Sequence, residues 1–234
     1  MTVYVVRITI YVLLPLLVAV AISRLDVSVR TRPQKVELFL IYLLGLGVAG
    51  SGIGGAFGHL FLSDVVAEAV GWGAGSPFQL EMGFANLALG VLGLVAAGRR
   101  DGFREATVVA VTVIGVGATI VHLIDIARTG NLAPGNTLQN VANLAKPILL
   151  IVLLRMSRRA DAATGTDHSA VVALGARHGP AVGWLAAIVS TGFGVGHALD
   201  RVVLVTGIGV LVGLVGVWLM LRGSWRRVTE DATA

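Results

Sequence analysis

Three histidines and three acids in this 234-residue chain stand where side chains from different helices could meet. His122 and Asp125 lie three residues apart in Val121-His122-Leu123-Ile124-Asp125, and His197 and Asp200 repeat that spacing in Gly196-His197-Ala198-Leu199-Asp200. Positions i and i+3 share one face of a helix, so each imidazole has a carboxylate beside it. His59 ends a third segment of this kind, Gly58-His59-Leu60-Phe61, and Glu81 and Asn86 lie early in a fourth. Imidazoles and carboxylates converging from separate helices are how helical bundles build metal sites. Nitrogen and oxygen ligands without sulfur suit Zn, Fe, Mn or Cu(II), and two facing imidazoles could hold a haem. The expected ligands are therefore His59, Glu81, His122, Asp125, His197 and Asp200. Each Asp is either a ligand itself or the partner that fixes its histidine's tautomer. In a catalytic site the metal would activate water or oxygen, with Glu81 as the base. The competing reading is interfacial, because His side chains interact well with helix C-termini and headgroups. Asp125 and Asp200 fit that reading less well, since the negative end of the helix dipole repels them.

A second polar stripe runs along one helical face as Gln139, Asn143 and Lys146. Lys146 lies about 14 Å below the nearer surface, too deep to snorkel easily, so an acid partner is expected, Glu81 or Asp125. These three ionisable groups could also exchange protons with a small substrate, as in a transporter. A buried Lys146 pair, with Asn86 and Asn143 nearby, could equally serve packing alone.

The elements that must carry these residues follow from composition. The chain is 56% hydrophobic and only 13% charged, more apolar surface than a soluble particle of this size can hide. The solvent is lipid, which excludes disorder, coiled coil and nucleic-acid binding despite a net charge of +5. The absence of Cys excludes disulfides, iron–sulfur clusters and thiol nucleophiles. Seven stretches are long and apolar enough to span a bilayer: about 4–23, 37–61, 77–97, 106–126, 137–154, 180–199 and 202–221. The expected fold is an all-α polytopic transmembrane bundle forming a single domain, 1–234. Residues 155–179, rich in Arg and small polar residues, read as a long flexible loop. Ser76…Gln79 and Asn136…Gln139 have capping-box spacing at the starts of the third and fifth spans. Gly54-x3-Gly58, Gly192-x3-Gly196 and Gly209-x3-Gly213 suit close helix packing within the bundle.

Basic residues test the span count independently. Arg24, Arg30, Arg32 and Lys35 follow the first span, and Arg99, Arg100 and Arg104 follow the third. Arg155, Arg158, Arg159 and Arg177 follow the fifth, and Arg222, Arg226 and Arg227 follow the seventh. The positive-inside rule makes that face cytoplasmic, with the N-terminus outside and the C-terminus inside. The first span lacks the basic n-region of a signal peptide and reads as uncleaved.

The strings Gly71-Trp72 … Ser76-Pro77-Phe78-Gln79-Leu80-Glu81-Met82-Gly83-Phe84-Ala85-Asn86-Leu87-Ala88-x-Gly90 and Gly130-Asn131 … Ala133-Pro134-Gly135-Asn136 carry a resemblance. Over about residues 40–155 the chain resembles an uncharacterised family of small prokaryotic polytopic membrane proteins, a domain of unknown function. The resemblance implies a multi-pass protein of the prokaryotic plasma membrane and draws attention to Glu81, Asn86 and His122. It implies no activity, and the last two spans lie beyond it. The sequence thus points first to a membrane protein with a His/carboxylate metal or haem site near the outer leaflet. A proton-coupled transporter and a non-catalytic subunit of a membrane complex are the alternatives. The partners expected are the bilayer and a small-molecule or lipid substrate. The topology is tested by Cys labelling in this Cys-free chain: positions 100 and 226 should react only from the cytoplasm, and 72 and 131 only from outside. Labelling of position 100 from outside intact cells would overturn it.

Overall fold

A computed structural model describes residues 1–26, 28–162 and 168–231. Seven helices in it are long and apolar enough to cross a membrane, and the described residues contain no strand. They are α1 (Thr2–Leu25), α2 (Arg32–Phe61), α4 (Phe78–Ala97), α5 (Gly102–Thr129), α6 (Pro134–Ala162), α7 (His168–Ala198) and α8 (Val202–Asp231). A short α3 (Ser63–Val70) follows α2 and lies beside the start of α6. Helices are what a lipid solvent demands, because the backbone must satisfy its own polar groups there.

α2 is the central element. Of its most apolar stretch 89% is buried, against no more than 56% in any other span. Its start is fixed by a capping box in which Thr31 Oγ1 accepts from Gln34 N and Gln34 Oε1 accepts from Thr31 N. The expected boxes at Ser76 and Asn136 do not form. Ser76 Oγ accepts only from Phe78 N, while the side chains of Gln79 and Asn136 are drawn away to histidines. Both α1 and α2 contain wide π-helical turns, at Thr9–Leu13 and Leu43–Gly50, and these turns pack against each other.

Small residues set the crossings. A Cβ on Gly52 of α2 would sit 2.5 Å from the Gly90 nitrogen of α4, so the two backbones touch there. Gly192 and Gly209 do the same for α7 and α8, which are joined by a tight turn with Asp200 at φ 53°. Polar clamps hold the end that carries the basic loops. Arg104, fully buried, makes a bidentate pair with buried Glu37, Nη1 to Oε2 at 3.0 Å and Nη2 to Oε1 at 2.8 Å. Arg104 Nε also donates to Ala96 O, closing the end of α4. Arg100 adds a contact to Glu37 at 3.2 Å and donates to Asp161 Oδ1 at 2.7 Å. A second clamp joins Asp26 to Arg177, His178 and Ser28. Burial would raise the Asp26 carboxyl, but hydrogen bonds from His178 and Ser28 and the Arg177 charge outweigh it and hold it well below the usual carboxylate range.

Most of the segment expected to be a flexible loop is helical. α6 continues to Ala162 and α7 begins at His168, which leaves only 163–167, outside the described residues. Its polar side chains mark helix ends emerging from lipid, where Arg158 pairs with Glu105 and Arg100 with Asp161. Neutralising Glu37 as Glu37→Gln strands the Arg104 charge in the core. It should cost about 3–5 kcal/mol and lower the melting temperature of the purified protein, whereas an unchanged melt would show that the clamp is dispensable.

Candidate intramembrane polar chamber

At the opposite end of the bundle, the predicted residues separate into two systems. The first is a hydrogen-bonded plate built around Asp125. Its Oδ2 accepts from Trp72 Nε1 at 3.0 Å, Asn131 Nδ2 at 2.9 Å and Asn136 Nδ2 at 2.9 Å. Asn136, fully buried, uses its other amide proton on Asn131 O at 2.8 Å, so its Oδ1 is an acceptor. The bond between His122 Nδ1 and Asn136 Oδ1, 2.7 Å long, therefore has the imidazole as donor, and the ring stacks on Trp72 at 5.3 Å. Asp125 thus ties the connecting segments together and reaches His122 only through Asn136.

The second system is a set of adjoining cavities among α1, α2, α3, α4, α5, α6 and α7. The largest, about 460 Å³, is lined by His59, His122, Trp72, Gln79 and Gln139. One of about 270 Å³ is lined by His59, His197 and Phe193, with exposed Glu68 also on its wall. A small one of about 70 Å³ is lined by Lys146, Ser51, Asn86 and Asn143. Arg7 lines all three. His59 Nδ1 is 2.7 Å from Oε1 of buried Gln79, and with that oxygen as acceptor the ring is again the donor.

The six expected ligands are thus not brought to one point. His59 shares one cavity with His122 and another with His197. Glu81 is exposed on α4, Asp200 is exposed in the α7–α8 turn, and Asp125 is occupied by amide and indole donors. Among the described residues no group of three or more His, Asp and Glu has the geometry of a metal site. The physical reason is rotation: depth along a helix places a residue in a layer but does not aim its side chain inward.

Among the described residues Lys146 has no acid partner either. Its Nζ donates to Ser51 Oγ at 2.7 Å, and Ser51 in turn donates to Val48 O. Gln139 and Asn143 bond each other at 3.1 Å, and Asn86 Nδ2 donates to Met82 O. Arg7 lies over the Tyr4 ring, its guanidinium carbon 6.0 Å from the centroid. Among the described residues no carboxylate is within ion-pair reach of Arg7 or Lys146. Arg7 is not among the residues that spacing singles out, and the sequence signal for it is its position inside the first apolar run, where a charge is costly.

These features define a polytopic membrane protein with a cationic, amide-lined chamber enclosed by its helices. The chain belongs to the family of unknown function DUF6790, whose model matches residues 6–163. That match begins earlier than the resemblance suggested, so it takes in Arg7 and α1, and it ends before α7 with His197 and His178. No curated protein and no solved structure matches the chain.

An ammonium with one hydrogen bond and no counter-charge is poorly compensated. Lys146→Met should therefore raise the melting temperature of the ligand-free protein, by up to about 2.5 kcal/mol of stability. Ser51→Ala should lower it by about 1–3 kcal/mol, because it removes the hydroxyl that accepts from Lys146 Nζ. Calorimetry checks both signs, and a lower melt for Lys146→Met would mean the charge is compensated.

Proposed function

We propose that this integral membrane protein binds an anionic ligand in the chamber bounded by Arg7 and Lys146. The observation that supports this is a charge imbalance. Two cations line the 70 Å³ cavity, Arg7 also lines the 460 Å³ one, and neither cavity has a carboxylate on its wall among the described residues. Intramembrane charges are expensive and mark binding sites by default. An incoming anion supplies what the protein withholds, and the surrounding amides of Gln139, Asn143 and Asn86 offer further donors. Together the cavities fall within the usual size of a small-molecule site.

A transition metal or haem held by His59 and His122 is the less favoured reading. Donation from Nδ1 leaves each ring an Nε2 for a metal, which is how ligating histidines are oriented. Arg7 on the same wall opposes a metal cation, however, and no acid stands by to balance one. A proton-coupled cycle through Glu81, Asp125 and Lys146 has the same weakness, because the two acids lie off the chamber. With the basic loops taken as cytoplasmic, this reading puts the chamber in the outer half of the membrane, and the proposed membrane is a prokaryotic plasma membrane.

Titration calorimetry of purified protein with inorganic phosphate, at constant ionic strength, tests the proposal. Phosphate should bind, and Arg7→Gln and Lys146→Gln should each weaken it about tenfold or more, the worth of one charged hydrogen bond. Affinity unchanged in Arg7→Gln overturns the proposal. Metal that co-purifies with the parent and is lost in His59→Ala and His122→Ala would favour the metal reading instead.

A further inference from the structure

The wall of the large cavity is not closed on the lipid side. On α5 it is formed by Val113, Gly117 and Val121, at i, i+4 and i+8 on one face, and on α4 by Phe78 and Met82. Val113 is 64% exposed, Val121 51% and Phe78 46%, although all three line the cavity. Gly117 stands near the midpoint of α5, and a Cβ added there would meet nothing within 4 Å. At that depth the opening faces hydrocarbon rather than water. The gap between α4 and α5 is therefore an apolar portal leading inward to Arg7 and Lys146, with the amides of Gln139 and Asn143 between.

Building on the anion site above, we infer that the ligand is a lipid phosphate monoester. Its head would enter sideways through the α4–α5 portal while its chain stays in the bilayer. Charge selects the head. A phosphate monoester carries about −1.5 to −2 at neutral pH, which matches one guanidinium and one ammonium, and its oxygens suit the surrounding N–H donors. The portal selects the tail. Its lining is aliphatic, aromatic and glycine, with no hydrogen-bond donor that would favour a polar or zwitterionic chain.

The test follows melting of the protein in phosphatidylcholine nanodiscs with inorganic phosphate, monododecyl phosphate or dodecanol. Both phosphates should raise the melting temperature, the dodecyl ester at a total concentration at least tenfold lower, and dodecanol should have no effect. Arg7→Gln should lose both responses. Gly117→Leu, which fills the portal without touching the head site, should keep the response to inorganic phosphate and lose the tenfold advantage. A series of butyl, octyl and dodecyl phosphates on the unmodified protein gives the same information if that variant does not fold, since potency should rise with chain length. If dodecyl and inorganic phosphate act at equal concentration, or Gly117→Leu keeps the advantage, lateral entry is overturned and the anion site stands. If neither phosphate shifts the melt, the anion site itself fails.

Discussion

The enclosure of α2 by its neighbours is the constraint on which the rest of this structure depends. A helix surrounded by protein in a bilayer gains no hydrophobic advantage over one surrounded by lipid, so contact must come from close backbone approach and polar bonds. α2 supplies both. Gly52 lets α4 approach to backbone contact, Glu37 receives two arginines at one end, and Ser51 receives Lys146 nearer the other. The clamp and the chamber are thus opposite ends of one helix. At the clamp, charges of both signs are matched and buried. At the chamber, Arg7 lines cavities of about 70 and 460 Å³, joined in the smaller by Lys146. Neither wall carries a carboxylate among the described residues, and Glu68 lies only on the 270 Å³ one.

That asymmetry gives the chamber its chemical character. Of the acids close by, Asp125 is committed to Trp72, Asn131 and Asn136, Glu81 and Asp200 are exposed, and Glu68, also exposed, lines only the 270 Å³ cavity. The histidines contribute aromatic walls and hold their protons on Nδ1 through Asn136 and Gln79. Arg7 and Lys146 give the polar layer a wall without a carboxylate, in the 70 and 460 Å³ cavities, among the described residues.

How much of this could be read in the sequence depended on the range of the interaction. The helical class and the seven spans are properties of long contiguous runs, and they were legible. The depth of Lys146 was legible for the same reason, but its partner Ser51 lies 95 positions away and no local pattern announces it. The His-x-x-Asp pairs misled because local spacing shows which residues share a face, not what else competes for them. Trp72 and Asn131 arrive from connecting segments, Asn136 from the first turn of α6, and together they take Asp125. Arg104 reads in sequence as one of a run of loop charges and Glu37 as the polar start of the second span, and only the packing of α2 on the α4–α5 connection pairs and buries them.

The π turn in α1 has a consequence for helical phase. A π turn carries one residue more than an α turn, so everything before it is rotated by about 100° relative to a continuous α-helix. Arg7 and Tyr4 precede the turn at Thr9–Leu13, whereas Tyr11, buried against Ser190 and Phe193, lies within it. With regular winding throughout, Arg7 and Tyr11, at i and i+4, would be held within about 40° of each other, and the wider turn changes that angle. The extra residue acts as an index notch that sets the angle between Tyr11, packed in the core, and Arg7, on the cavity wall.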